Sequence, residues 1–477
     1  MAEISIKKAT AYNAAAKYGQ MFIQLGLTML LSRLILPEAF GVIAITTILL
    51  GFLNLFADMG LGISVIQYPD LEKKDLNGLF SFSLIVGVVL GVITALVSFP
   101  LAVFYEEPLY YTLCPILSIV SFFQSANVVP NAILTRDKQF KTIAVRTILC
   151  SLVSGVIAVV LARLGFGVYA LVAQSVISQI FLFIWNYLYA PLSLCRFRLR
   201  NVAKLLGSYS LFQVLFNFLN YFTRNLDHII IGKSFGSEEL AQYNKSYSLY
   251  LYPNNIFAAV LTGVIHPYVR DYKNNHRQMF SIYMRIEKIL SLIGIISMMV
   301  FFFCSQEMVL IMFGKNWVNA GVYLKCLSLC MWTQMMCSVS GSFFLGLERT
   351  EQTFKCGIIN LVLLIMSIVI GIWFKSMVVL SLCVSLSYNI IFIITNYILV
   401  KRTMGIGLSE FLQPLKYDAV FVFAFVALAY FIPEITTNLF VSLMVKLVIC
   451  VAAYSLYLTV SRQWGMVQTL KGMITKK

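Results

Sequence analysis

Inside a long apolar run, Gln213, Asn217, Asn220, Arg224 and Asp227 follow one another at intervals of 4, 3, 4 and 3 residues. At about 100° per residue these five positions stay within a wedge of roughly 80°, which makes one polar stripe along a helix. Arg or Asp facing lipid at mid-bilayer costs about 2.5–3.5 kcal/mol, so the stripe must face other helices or water. The chemistry it offers is recognition. Arg meets phosphate through bidentate, charge-assisted hydrogen bonds, amides donate and accept, and a carboxyl such as Asp227 in low dielectric can take up and release a proton.

The stripe occurs twice. Two hundred residues earlier stand Asn13, Lys17, Gln20 and Gln24 in the same register, with Leu27 in place of Asp227. At this offset Arg33 also matches Lys233, Glu38 matches Glu238 and Asn54 matches Asn254. The second copy thus has Arg224 where the first has Gln24, and it adds Asp227. Asp58, one turn after Asn54, is a further carboxyl at a helix end and a second candidate for coupling.

The elements that carry these stripes follow from composition. The chain has 477 residues, 60% of them hydrophobic and 12% charged, against about 45–50% and about 25% in soluble domains. Apolar runs long enough to cross a bilayer predict fourteen helices. They lie near 11–35, 40–66, 79–104, 110–134, 142–163, 166–190, 205–231, 239–266, 283–304, 317–345, 356–374, 377–399, 417–433 and 437–460. No cleavable leader is expected, because the first apolar segment is too long and no small-residue cleavage site follows it.

Lys and Arg are distributed asymmetrically. The termini and the loops on their side carry 26 of the 36, the opposite loops carry seven, and Lys17, Arg224 and Lys245 fall inside spans. This predicts cytoplasmic termini. The fold class expected is an all-α polytopic membrane protein. Two parallel six-helix repeats, 1–200 and 201–402, would surround a central cavity, with two further helices and a tail in 403–477.

The net charge of +16 is explained by those basic loops and anionic lipid headgroups, so no nucleic-acid partner is expected. Ten cysteines lie mostly in or beside apolar spans and read as packing residues; no metal site or catalytic residue is assigned. The longest connection, about 267–282, is too short for a catalytic domain, and no nucleotide-binding loop, nucleophile elbow or zinc signature occurs. The chain is expected not to be an enzyme.

The segments "LSRLILPEAFGVIAI", "FADMGLGISVIQ", "RNLDHIIIGKSFGSEELAQYNKSYSL" and "FGKNWVNAG" resemble the oligosaccharide flippase (Wzx-like, polysaccharide transporter) family over roughly residues 10–400. That family shares a superfamily with the MATE exporters and the lipid II flippases. The resemblance implies a flippase of the bacterial inner membrane. It would carry undecaprenyl-pyrophosphate-linked oligosaccharide from the cytoplasmic to the outer leaflet by alternating access, for O-antigen, capsule or exopolysaccharide assembly. It also implies coupling to a Na+ or H+ gradient or to membrane potential, with no cofactor. The partners implied are the lipid-linked substrate, membrane lipids, a polysaccharide polymerase and export machinery.

In that setting Arg224 and Lys17 are the candidate contacts for the pyrophosphate. Asn13, Gln20, Gln24, Gln213, Asn217 and Asn220 are cavity-lining candidates for sugar hydroxyls. Asp227 and Asp58 are coupling candidates, and Tyr243, Tyr247 and Tyr250 could stack on sugar rings. The alternative is an ion-coupled exporter of drugs or small cations, whose site would favour carboxylates over Arg and Lys.

Overall fold

The computed structural model describes residues 6–58, 60–68, 70–195, 211–271, 275–431 and 438–463. Every regular element among them is helical, and ten helices are long and apolar enough to cross a membrane. The chain is a multi-pass membrane protein. Among the described residues, the fourteen expected segments fall in helical stretches, several of them broken. The expected span 317–345, for example, is three short helices, Val318–Ser328, Met331–Cys337 and Ser340–Gly346.

The chain divides into two compact units, Met1–Ala241 and Gln242–Lys477. In the first, α1 (Ile6–Leu34) packs on α8 (Phe140–Arg163), and α4 (Lys73–Leu96) packs on α6 (Tyr110–Ala126). Between them in sequence lie α2 (Pro37–Asp58), α3 (Leu61–Gln67), α5 (Ser98–Tyr105) and α7 (Val128–Arg136), and α9 (Val168–Tyr189) follows. The helical stretch α10 (Leu211–Asp271) is broken at Gly236, whose φ of 88° suits glycine. That break separates the expected spans 205–231 and 239–266.

The N-terminal part of α10 belongs to the first unit because side chains tie it there. The Tyr221 hydroxyl donates to the Ile48 carbonyl, and the Tyr105 hydroxyl donates to the Ile229 carbonyl at 3.2 Å. Phe52 packs against Tyr221 and Phe222. Gly41 lies so close to Ser237 that a Cβ would stand 1.8 Å from the Ser237 carbonyl oxygen. Outside the apolar zone, Lys233 Nζ sits 2.8 Å from Glu106 Oε1, and this ammonium holds the Glu106 carboxyl below the usual carboxylate range.

The second unit is built on α11 (His276–Phe303). It continues through α12 (Ser305–Phe313), α13 (Val318–Ser328), α14 (Met331–Cys337), α15 (Ser340–Gly346), α16 (Thr350–Trp373) and α17 (Met377–Asn396). A π-helical turn, Tyr397–Thr403, follows α17 directly. After the short α18 (Leu408–Leu412), the last two long helices are α19 (Lys416–Phe431) and α20 (Leu439–Val460).

A buried polar network fastens α19 and α20 to α11. Asp418, with no exposed surface, accepts from Lys288 Nζ at 2.7 Å, from Ser291 Oγ and from the Tyr457 hydroxyl. Lys288 also donates to the Pro414 carbonyl, and Trp332 Nε1 donates to Ser291 Oγ at 2.8 Å. A second buried pair, Lys446 with Glu307, joins α20 to α12, and Ser442 donates to the same carboxyl. Lys288 and Arg146 lie near the starts of the expected spans 283–304 and 142–163, where a basic side chain would be expected to reach the membrane surface. Both are instead buried helix residues, because each is held by a partner that composition does not reveal.

Candidate functional site

The first unit contains a polar cavity of about 530 Å³. Its wall is assembled from four places in the chain. Asn54 and Asp58 stand one turn apart at the end of α2. Gln124, Asn127, Asn131 and Thr135, at intervals of 3, 4 and 4, form a polar stripe running from α6 into α7. Arg146 and Thr147 come from α8, and Gln179 from α9. The rest of the lining is apolar, including Ile63, Ile66 and Leu182.

Arg146 sets the electrostatics. It is 5% exposed, and its Nη2 donates to Asn131 Oδ1 at 2.6 Å. Its Nε and Nη1 are buried and have no hydrogen-bond partner. A guanidinium taken out of water with most of its five donors unused carries a large desolvation cost. Asp58 does not relieve it. That carboxyl accepts from the Gly62 backbone N–H at 3.1 Å and so serves the first turn of α3. The orphaned donors and the surrounding amides make the cavity suited to an anionic, hydroxyl-bearing group. Asn127 is itself positioned by Asn186, a fully buried amide on α9 that donates to its Oδ1.

The sequence-derived candidates distribute as follows. Lys17, Gln20 and Gln24 are exposed on α1, and Arg224 is exposed on α10. The side chains of Asn13, Gln213, Asn217 and Asn220 lie outside the described residues. Asp227 is 5% exposed, and its Oδ1 meets His228 Nδ1 at 2.8 Å and the His228 backbone N–H at 2.9 Å. The two coupling candidates are therefore in different surroundings: Asp58 lines the polar cavity and Asp227 does not.

The tyrosine run belongs to the second unit's interior. Tyr243 and Tyr250 are buried, Tyr243 stacks on Tyr247 at 6.0 Å, and Tyr250 stacks on Tyr388 at 6.5 Å. Tyr247 and Tyr388 share a hydroxyl hydrogen bond of 3.1 Å. These rings are spent on packing, which removes Tyr243 and Tyr250 as sugar-stacking surfaces. Lys245, read as a charge inside a span, lies over the rings of Phe313 and Trp317 at 5.6 and 5.5 Å, a cation–π arrangement that accommodates it.

Sequence reading missed Arg146 and its amide partners. The signal was present: Gln124, Asn127, Asn131 and Thr135 repeat the 3,4 spacing of the stripe on α10. It went unread because "FFQSANVVPNAILTR" carries no charge before its last residue, and Arg146 sits close enough to a helix start to pass for a loop cation.

The all-helical fold is shared with a solved membrane protein. The chain superposes on the lipid II flippase MurJ in its inward closed conformation with a TM-score of 0.70, at 14% identity and covering 94% of this chain and 98% of that one. At the family level, residues 30–322 match the polysaccharide biosynthesis protein family, and the chain belongs to it. Relatives include the succinoglycan biosynthesis transport protein ExoT of Rhizobium meliloti, 22% identical over 75% of this chain and 72% of ExoT. Another is the lipopolysaccharide biosynthesis protein WzxC of Escherichia coli, 22% identical over 83% of this chain and 81% of WzxC. The family resemblance drawn from the four quoted segments is thereby borne out.

Proposed function

We propose that the chain flips undecaprenyl-pyrophosphate-linked oligosaccharide from the cytoplasmic to the outer leaflet of the bacterial inner membrane, for surface polysaccharide assembly. The observation that carries this reading is the under-bonded Arg146, set among amide side chains in a lobe of a polysaccharide biosynthesis family member. A polyanionic head and a chain of sugars need those two chemistries, charge-assisted donors and mixed amides, within one hydrophobic scaffold.

In this reading the two six-helix repeats alternate access to a central cavity between them, and the stripes of α1 and α10 line it. Arg224 and Lys17 receive the pyrophosphate, Arg146 and its amides take an anionic or hydroxyl-rich part of the substrate, and the cycle draws on an ion gradient or membrane potential. The termini are cytoplasmic, no bond is made or broken, and a polymerase and export machinery take the product. An exporter of cationic drugs would need free carboxylates at the cavity. Asp58, the carboxylate there, is engaged at the start of α3.

Replacing Arg224 tests this reading. Arg224→Ala, inserted at the parent level, is expected to leave lipid-linked oligosaccharide on the cytoplasmic face and to lower export roughly tenfold or more. The basis is a loss of about 1.5–3 kcal/mol for a hydrogen bond to a charged group. Arg224→Lys keeps the charge without the fork and should retain part of the export. Full export by Arg224→Ala would remove this residue from the transport path.

A further inference from the structure

Glu287 stands out among the buried groups of the second unit. It lies on α11 within a membrane span, has no exposed surface, and neither of its carboxyl oxygens has a hydrogen-bond partner. Lys288, the adjacent residue, is taken up by Asp418 and Pro414. The titratable groups nearest Glu287 are neutral ones. Tyr283 lies one turn earlier on the same helix, and Cys337 ends α14, with Cys356 of α16 beyond it. The Tyr283 hydroxyl interacts with the carboxyl, but its single hydrogen goes to Asn396 Oδ1 at 2.7 Å, and the same oxygen is 3.2 Å from Ser340 Oγ.

An ionised carboxylate sealed in this position would carry the desolvation cost of a charge with neither of its oxygens given a full hydrogen bond. A structural role is poorly served by such a side chain, since a Gln or Met would pack there without the liability. The neighbouring Asn396 ends α17 where the backbone widens into the π-helical turn Tyr397–Thr403, a departure from α-helix that recurs at functional positions.

We propose that Glu287 is a proton-binding site that couples transport to a proton gradient. It takes one proton from water on one side of the membrane, carries it as the neutral acid in the buried state seen here, and returns it to water on the other side when the packing around α11 opens. No electrons move, and the proton bound equals the proton released. As a coupling site it rests on the flippase reading; as a proton site it does not.

Two measurements on the full chain separate these claims. In lipid vesicles, difference infrared spectroscopy at neutral pH should show a protonated carboxyl C=O band that Glu287→Gln lacks. The band should shift when the solvent is exchanged for D2O within minutes, because a cycling site must reach water. A missing band, or one that D2O never shifts, overturns the proton site. In cells deleted for this gene, Glu287→Gln made at the parent level should restore at least tenfold less surface polysaccharide than the parent chain. Equal restoration overturns coupling. Failure of the parent itself to restore polysaccharide would strike the flippase reading and leave the infrared result standing.

Discussion

Arg146→Met is expected to lower polysaccharide export by more than about tenfold while leaving the protein at least as stable as the parent. The two effects have opposite sign for one reason. In the parent, Nε and Nη1 of Arg146 are buried without partners, a standing cost of about 1–3 kcal/mol per unmet polar group, and more for a charged one. Methionine fills a similar volume with no polar atom, so folding sheds that cost, and only the 2.6 Å bond to Asn131 is lost. Transport should suffer because those donors are the part of the cavity that meets an anion. Groups that reduce stability and are retained are characteristic of functional sites. Thermal unfolding in detergent, read beside export in cells, checks both halves. A variant that unfolds more easily yet exports normally would make Arg146 a structural residue.

The second large effect concerns the last two helices. Removing one partner of the Lys288–Asp418 pair, as in Lys288→Met or Asp418→Leu, should destabilise the second unit by about 3–5 kcal/mol, because a charge is left buried without its counter-ion. The double variant Lys288→Met/Asp418→Leu should recover most of that loss. Trp332 donates to Ser291, which donates in turn to Asp418, so its fluorescence reports on the network directly. Single variants that unfold like the parent would show that α19 and α20 are held by apolar packing alone. The pairing also gives these helices a mechanical role, since any movement of α11 must carry α19 and α20 with it or break a buried ion pair.

What was legible in the sequence follows from how strongly each feature is written in composition. Membrane class and helix positions rest on long apolar runs, and these survive whatever the tertiary contacts do. The breaks inside spans were less visible. Gly236, at φ 88°, separates two runs that were already distinct, but the breaks near 328–330 and 338–339 fall in the stretch Val322–Ser340, which contains no proline or glycine. Family membership was legible because the loops after the first and seventh spans carry distinctive segments.

The site was half legible. Asp58 and Asn54 were recognised by their spacing and do line a polar cavity. Asp227 stands out as a carboxyl in an apolar run, whereas nothing in the spacing marks His228 as its partner, because adjacent residues on a helix point in different directions. The structure joins them through the aspartate's reach to both the ring and the backbone of its neighbour. Arg146, Lys288, Glu287 and Asp418 were hidden for a common reason. Each lies within a few turns of a helix end, where a charge in sequence reads as a loop residue or a snorkelling side chain. Only the packing of other helices around them decides otherwise.

The most direct test of the central claim uses the purified full chain in vesicles loaded with undecaprenyl-pyrophosphate-linked oligosaccharide. A membrane-impermeant glycosidase added outside cuts only sugars on the outer leaflet. Vesicles with the parent chain should lose most of their oligosaccharide under an imposed proton gradient. Empty vesicles, and those with Arg146→Met, should stop near the fraction initially outside. Equal digestion with and without the parent chain, correctly inserted, would contradict the flippase account.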